Sequence, residues 1–232
     1  MRHILHAGLT ELGLDASKAE TLEAFARLVL ERNREMNLTA ITDEEDFARL
    51  HLLDSAALLR LAAFDGKRVV DVGTGAGFPG VPLRILCPGA RRMTLLDSTG
   101  KRVDFLREAC AALKIAGVEC VHARAEDLAA RRRETFDLAV ARAVAALPAL
   151  CELCLPLVRV GGQFLAMKST QSGEEIEDAA GAIKMLGGRL SRVVDYAVPM
   201  AGVTHRLIVI DKIEPTPEKY PRAFGQIKKK PL

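Results

Sequence analysis

The stretch that most restricts this chain runs from Val69 to Gly80 and reads Val-Val-Asp-Val-Gly-Thr-Gly-Ala-Gly-Phe-Pro-Gly. A short apolar run rich in β-branched residues reads as a buried strand. The glycines after it allow a sharp turn and let a ligand approach the backbone without a Cβ in the way. A second apolar run, Met93–Asp97, ends on a carboxylate about twenty residues later, the spacing at which an acid meets ribose hydroxyls. Together these features predict a bound nucleoside-containing cofactor, with Gly73, Gly75, Gly77 and Asp97 around it.

The rest of the chain agrees with such a fold. From Lys67 onward, short apolar runs alternate with amphipathic stretches: Arg68–Val72, Met93–Asp97, Val118–His122, Phe136–Ala141, Gly162–Met167, Ser191–Val198 and Leu207–Asp211. Strand–helix alternation predicts an α/β, doubly wound, mostly parallel sheet of seven strands covered on both faces. The link Pro199-Met200-Ala201-Gly202 is too short for a crossover helix, so the last strand is expected to be antiparallel. Residues 1–62 read as a helical cap, with Ser17-x-x-Glu20 and Thr42-x-x-Glu45 as capping-box starts around the loop Asn37-Leu38-Thr39-Ala40. Residues 63–213 form the expected cofactor-binding core, and 214–232 a Pro-, Lys- and Gly-rich tail packed on it.

Composition removes several classes of function. Aromatic residues make up 4% and Trp is absent, which argues against a face built from a row of stacking aromatics. Met1-Arg2-His3-Ile4-Leu5-His6 lacks the apolar core of a signal peptide. The apolar segment from Leu138 to Val158 is interrupted by Arg142, Pro148, Glu152 and Pro156, and reads as a strand plus a helix rather than a membrane span. Five cysteines, an odd number at irregular spacing, suit reduced thiols in a cytoplasm. Cys151-x-x-Cys154 has no second ligand pair at metal spacing, so no metal is expected.

Charge is unevenly spread. Residues 1–62 carry 7 basic and 11 acidic residues, whereas Lys219–Leu232 carries five basic residues and no acid. A basic tail on a protein of net charge +3 points to a local polyanion contact.

Two cofactors fit the glycine turn. Gly75-Ala76-Gly77-Phe78-Pro79-Gly80 matches the dinucleotide fingerprint G-x-G-x-x-G, which implies an NAD(P)-dependent oxidoreductase. Asp71-x-Gly73-x-Gly75-x-Gly77 matches the turn of S-adenosylmethionine (AdoMet) methyltransferases. Pro79 and Pro82 remove backbone donors that a pyrophosphate needs, and AdoMet needs no such cradle. Asp71 would repel a pyrophosphate yet could balance an amine and a sulfonium. Ala125-Glu126-Asp127 follows the third strand, where these methyltransferases place an acid near the adenosine. The expected terminal hairpin also fits their sheet.

At this point the loop from Asp71 to Leu83 resembles that of the glucose-inhibited division protein B family, the bacterial 16S rRNA guanine-N7 methyltransferases. The resemblance extends to Asn37-Leu38-Thr39-Ala40-Ile41, His51-Leu-Leu-Asp54-Ser55, Lys101-Arg102-x-x-Phe105-Leu106, Ala125-Glu126 and Ala141-Arg142-Ala143. It reaches Tyr220-Pro221-Arg222, Gly225 and Lys229-Lys230-Pro231-Leu232 in the tail. Ala223-Phe224 departs from it, because relatives often carry another basic residue there. The resemblance implies AdoMet contacts at Gly73, Phe78, Ala125, Glu126 and Arg142. It implies a guanine in the decoding-region (530) loop of 16S rRNA as the substrate.

The residues themselves are compatible with that chemistry. There is no Pro-Pro for exocyclic amine methylation and no Pro-Cys nucleophile for pyrimidine C5. Guanine N7 carries an in-plane lone pair and no proton, so transfer requires alignment rather than a general base. Arg142, at the fourth-strand exit, is expected to position a carboxylate or phosphate. His51 and Asp54 share a helix face and are read either as a structural pair or as substrate contacts. Asn37 either reads a base or caps a turn. Lys101, Arg102, Arg222, Lys228, Lys229 and Lys230 are the candidate RNA contacts, and Arg131-Arg132-Arg133 reads as a solvated run. A non-catalytic rRNA-binding factor is the remaining alternative. The expected protein is a cytoplasmic monomer that works on the small ribosomal subunit.

Overall fold

The computed structural model describes residues 1–232. Helices α1 (Arg2–Glu11) and α2 (Ala19–Met36) open the chain. A continuous helical stretch follows: α3 (Glu44–Phe47), a π-helical segment Ala48–Leu53, and α4 (Asp54–Leu61). The helix starts differ by a residue or two from the capping-box reading. Asp15 accepts from Ser17 N at 3.0 Å before α2, and Asp43 accepts from Glu45 N and Asp46 N before α3. Aspartate carries a full charge toward the free N–H groups of a first turn, so it displaces the neighbouring hydroxyls from that role.

The α/β portion comprises β1 (Arg68–Val72), α5 (Gly80–Leu86), β2 (Arg92–Asp97), α6 (Gly100–Ala112), β3 (Val118–His122), α7 (Ala125–Arg131) and β4 (Phe136–Arg142). It continues with α8 (Leu147–Cys154), β5 (Val158–Ser169), α9 (Gly173–Met185), β6 (Gly188–Ala197), β7 (Thr204–Lys212) and α10 (Phe224–Lys229). The strand order is β3-β2-β1-β4-β5-β7-β6. β1 to β5 pair in parallel, and β7 runs antiparallel between β5 and β6. The chain winds outward from β1 to β3 and then restarts at β4 on the other side of β1. Ligands bind such sheets beyond the strand C-termini, at this switch point.

Alternation along the central strands divides the interior into two cores. Val69, Leu138, Val140, Leu165, Leu207 and Val209 face the N-terminal helices, where Phe25, Phe47, Leu52 and Leu53 are fully buried. Val70, Ala139, Ala141, Phe164, Ile208 and Ile210 face α8, α9 and the tail residue Ile227. The N-terminal helices therefore share a core with one face of the sheet. Cys151 and Cys154 are fully buried in the opposite core, where burial raises both thiol pKa values. No helix is long and apolar enough to cross a membrane.

Candidate active site

The glycine turn is tied to its neighbours by the main chain. Gly73 N and Thr74 N both donate to Leu96 O, at 2.8 and 3.0 Å, which locks the end of β1 to the end of β2. Gly73 and Gly75 sit at φ +71° and +59°, which side-chain-bearing residues avoid. A Cβ on Gly73 would lie 2.6 Å from Val144 Cγ2.

Asp71 lies buried beneath this turn. Its Oδ2 accepts from Thr74 Oγ1 at 2.7 Å and from Gly80 N at 2.8 Å, while Oδ1 has no partner. Burial pushes its pKa up to about 6, against the lowering effect of those two bonds. Asp71 thus braces the turn from inside.

The same bonds occupy the start of α5. Gly80 N is taken by Asp71, Val81 N by Gly77 O at 2.8 Å, and Leu83 N by Pro79 O at 3.2 Å, while Pro82 has no N–H. No free donor remains in this first turn to hold a pyrophosphate. The dinucleotide reading of Gly75–Gly80 therefore has no phosphate cradle, whereas a cofactor without phosphate meets no such obstacle.

Two cavities open at the strand C-termini. The first is a cleft with Val72, Gly73, Asp97, Ala125, Glu126 and Phe224 in its wall. Asp97 is 4% exposed. Its Oδ2 accepts from Gly75 N at 3.0 Å and its Oδ1 from Thr99 N at 2.8 Å, with Arg102 Nη1 3.7 Å from Oδ2. Each carboxylate oxygen keeps a second lone-pair direction for a hydroxyl donor. An apolar floor, a held carboxylate at the rim and a bare glycine backbone suit an adenosyl group.

The second cavity, of about 400 Å³, is bordered by Leu50, His51, Asp54, Arg142, Lys168 and His205. Ala143 lines this cavity and Val144 lines the cleft, so one short segment separates the two. Arg142 organises its wall. It donates from Nη1 to Asp54 Oδ2 and Leu50 O, both at 3.0 Å, and from Nη2 to His51 Nδ1 at 2.8 Å. That bond requires a neutral His51 with Nδ1 as acceptor, so the Nε2–H donates to Thr39 Oγ1 at 2.8 Å. Burial, then the Arg142 charge, pushes the His51 pKa down to about 3. Asp54 Oδ1 accepts from Tyr196 Oη at 2.8 Å and from His205 Nδ1 at 2.9 Å. Burial opposes ionisation of Asp54, but the His205 bond, the Arg142 charge and the Tyr196 bond outweigh it and hold the pKa low. The hydrogen bond to Asp54 in turn raises that of His205.

The comparisons with known proteins fit this arrangement. The profile described as rRNA small subunit methyltransferase G matches residues 18–202. The protein named ribosomal RNA small subunit methyltransferase G in Alkaliphilus oremlandii is 45% identical over 238 aligned positions, covering 100% of this chain and 99% of that protein. The protein of the same name in Deinococcus radiodurans is 45% identical, covering 100% of this chain and 92% of the relative. The chain belongs to the rRNA small subunit methyltransferase G family. Among solved structures, TrmN from Thermus thermophilus superposes with a TM-score of 0.54 at 25% identity, over 68% of this chain and 48% of that one.

Within this family fold, the expected cofactor residues separate into two groups. Gly73, Asp97, Ala125 and Glu126 meet at the cleft, and Gly75 is tied to it through Asp97. Gly77 and Phe78 do not reach it. A Cβ on Gly77 would collide with Val81, Leu106 and Phe25 at 2.8 to 3.0 Å. Phe78 is 5% exposed, with its ring centroid 4.8 Å from His51 and 5.6 Å from both Phe25 and Phe47. Its aromatic ring joins the apolar cap instead of the cleft because three rings offer it a dry environment. Arg142 borders the second cavity rather than the cleft, and its guanidinium lies 5.4 Å from the Phe78 ring.

The RNA candidates divide as well. Lys101 and Arg102 open α6 beside Asp97, with Lys101 exposed. Lys228, Lys229 and Lys230 are exposed at the C-terminal end of α10. Arg222 is engaged within the protein: its backbone N, Nε and Nη2 all bond the fully buried Glu152, with Nη2 2.6 Å from Oε2. A charge buried in the core must be matched locally, and Arg222 matches it. Asn37 sits at φ +49° as the C-terminal cap of α2, while Asn33 makes the side-chain bonds to Thr39. Arg142 lies between His51 and Asp54, so those two do not pair directly. Arg133, read as solvated, donates to Tyr220 O, Thr216 O and Pro217 O and pins the tail.

Sequence reasoning missed Tyr196 and His205. They lie 142 and 151 residues from Asp54 along the chain. No local pattern marks them, and only the antiparallel hairpin brings them to Asp54.

Proposed function

We propose that this protein transfers the methyl group of AdoMet to N7 of a guanine in the 530 loop of 16S rRNA, acting in the cytoplasm as a monomer. The observation that carries the reading is the occupied start of α5 beside an open glycine–carboxylate cleft. Asp71 and Gly77 consume the donors a dinucleotide would need, while Gly73 and Asp97 remain available to an adenosyl group.

AdoMet supplies an electrophilic methyl on a sulfonium. The chain's own residues do the holding. Gly73 presents bare backbone, and Asp97 accepts from the ribose hydroxyls while Gly75 N and Thr99 N keep its carboxylate fixed. Ala125 and Glu126 border the adenosine end. The second cavity receives the guanine, and Arg142, with its charge balanced by Asp54, fixes the wall between the two reactants. Guanine N7 needs no deprotonation before attack, and the neutral His51 is locked between Arg142 and Thr39 rather than free to accept a proton. Rate enhancement then comes from proximity and orientation. Lys101, Lys228, Lys229 and Lys230 hold backbone phosphates, and their contribution weakens with salt.

Mass spectrometry of 16S rRNA from cells with and without the gene tests the reading. The expected result is a methylated guanine in the 530-loop fragment that disappears on deletion and returns with the cloned gene. Unchanged modification would refute it.

A further inference from the structure

The C-terminal segment reaches the cofactor cleft, and one aromatic side chain brings it there. Phe224, the first residue of α10, lines the cleft alongside Asp97, Ala125 and Glu126. It is the sole aromatic in that wall. Its backbone N donates to Glu126 Oε1 at 3.2 Å, and the Arg124 guanidinium lies 4.7 Å from its ring centroid. The ring is half-buried, which leaves part of its surface in the cleft.

This placement is braced from both sides. Upstream, Tyr220 is buried and Arg222 is held by Glu152. Arg133 binds three carbonyls of the approach, those of Thr216, Pro217 and Tyr220. Downstream, Ile227 is fully buried against the sheet. Tyr220 and Ile227 thus anchor the segment on either side of Phe224. Lys228 and Lys229 occupy the next turn of the same helix, and Lys230 follows directly.

We propose that Phe224 is a cofactor-binding residue that stacks on the purine ring, and that α10 thereby couples cofactor loading to capture of RNA phosphates by Lys228–Lys230. This rests on the AdoMet reading of the cleft. A purine presents a π-face that an aromatic side chain can cover, and the Arg124 guanidinium, which lines the same cleft, lies over the Phe224 ring as well. A cofactor packed on Phe224 holds α10 down and presents the three lysines in a fixed array. RNA holding the lysines keeps Phe224 over the purine. Such coupling is reciprocal: each ligand tightens the other by the same factor.

The test uses the full chain and isothermal titration calorimetry with S-adenosylhomocysteine and with 5′-methylthioadenosine, which lacks the amino-acid end. Phe224→Ala is expected to weaken both ligands by a common factor of about 5 to 150, the range of a lost base–aromatic stack. Phe224→Leu keeps apolar bulk for docking but has no π-face, and is expected to lose affinity with an unchanged melting temperature of the free protein. Wild-type affinity in the leucine variant overturns the proposal. So does a loss for S-adenosylhomocysteine that spares 5′-methylthioadenosine, because the ring would then face the wrong end. Binding of a 530-loop RNA, measured with and without saturating S-adenosylhomocysteine, is expected to tighten in the wild type and not in Phe224→Ala. No enhancement in the wild type overturns the coupling. Failure of the wild-type protein to bind S-adenosylhomocysteine refutes the AdoMet reading itself and is distinguished by that control.

Discussion

Removing Asp54 is the sharpest test of how the second cavity is built. Asp54 is 1% exposed and accepts from groups on three strands: Arg142 of β4, Tyr196 of β6 and His205 of β7. Asp54→Ala leaves Arg142, whose side chain is 15% exposed, without its counter-charge. Removing one member of a buried ion pair costs about 3–5 kcal/mol, since the remaining charge stays poorly solvated. Asp54→Asn is milder. Its oxygen can face Arg142 while its amide donates to the Tyr196 oxygen and to a neutral His205 Nδ1. Only the charge is lost, and charge-assisted bonds are roughly twice as strong as neutral ones, so a cost of about 1–2 kcal/mol follows. Urea unfolding measures both. With a slope of at most about 3 kcal/mol per M, the alanine variant should lower the midpoint by about 1 M or more. His205 provides a second readout by NMR titration. Its raised pKa depends first on the Asp54 bond, so in Asp54→Asn it should titrate at lower pH. The double variant Asp54→Ala/Arg142→Met should recover much of the single loss, because no orphaned charge remains. A loss below about 1 kcal/mol in Asp54→Ala, or an unmoved His205, would refute the reasoning.

Three further outcomes are expected. Asp97→Ala removes the acceptor of Gly75 N and Thr99 N and should weaken S-adenosylhomocysteine at least about tenfold by calorimetry, at a cost of about 1–3 kcal/mol per charged bond; normal affinity would end the ribose assignment. Lys228→Ala/Lys229→Ala/Lys230→Ala should flatten the dependence of log K for RNA on log salt by about 2 to 3, at roughly 0.7 to 0.9 per phosphate, and an unchanged slope would mean the tail carries no phosphate contacts. Asp71 links stability to pH. Its folded pKa of about 6 lies above the unfolded 3.8, so the fold favours the protonated carboxyl. That contribution of about 3 kcal/mol is complete below pH 3.8 and is lost as pH rises through 6. Between pH 5 and 7.5 the wild type should therefore lose stability relative to Asp71→Asn, and parallel melting curves for the two would contradict this.

The sequence by itself determined the strand-turn-helix unit at Val69–Gly80, the alternation that makes a parallel sheet, and the hairpin at Pro199–Gly202. These are short-range properties, set by side-chain period and by where proline and glycine permit the backbone to turn. Asp97 was legible for the same reason, because its place at the end of β2 follows from strand register alone. Tertiary structure decided which polar groups are free. Phe78 and Arg142 sit close to the glycine turn along the sheet edge, yet one enters an aromatic cluster and the other a buried charge network. Arg222 looks like part of a basic tail, but a glutamate 70 residues earlier in the chain claims it. Burial decides these cases, since a charge or ring taken from water settles on the partner that compensates it. Such partners come from strands and helices far apart in the chain, where no local pattern can signal them.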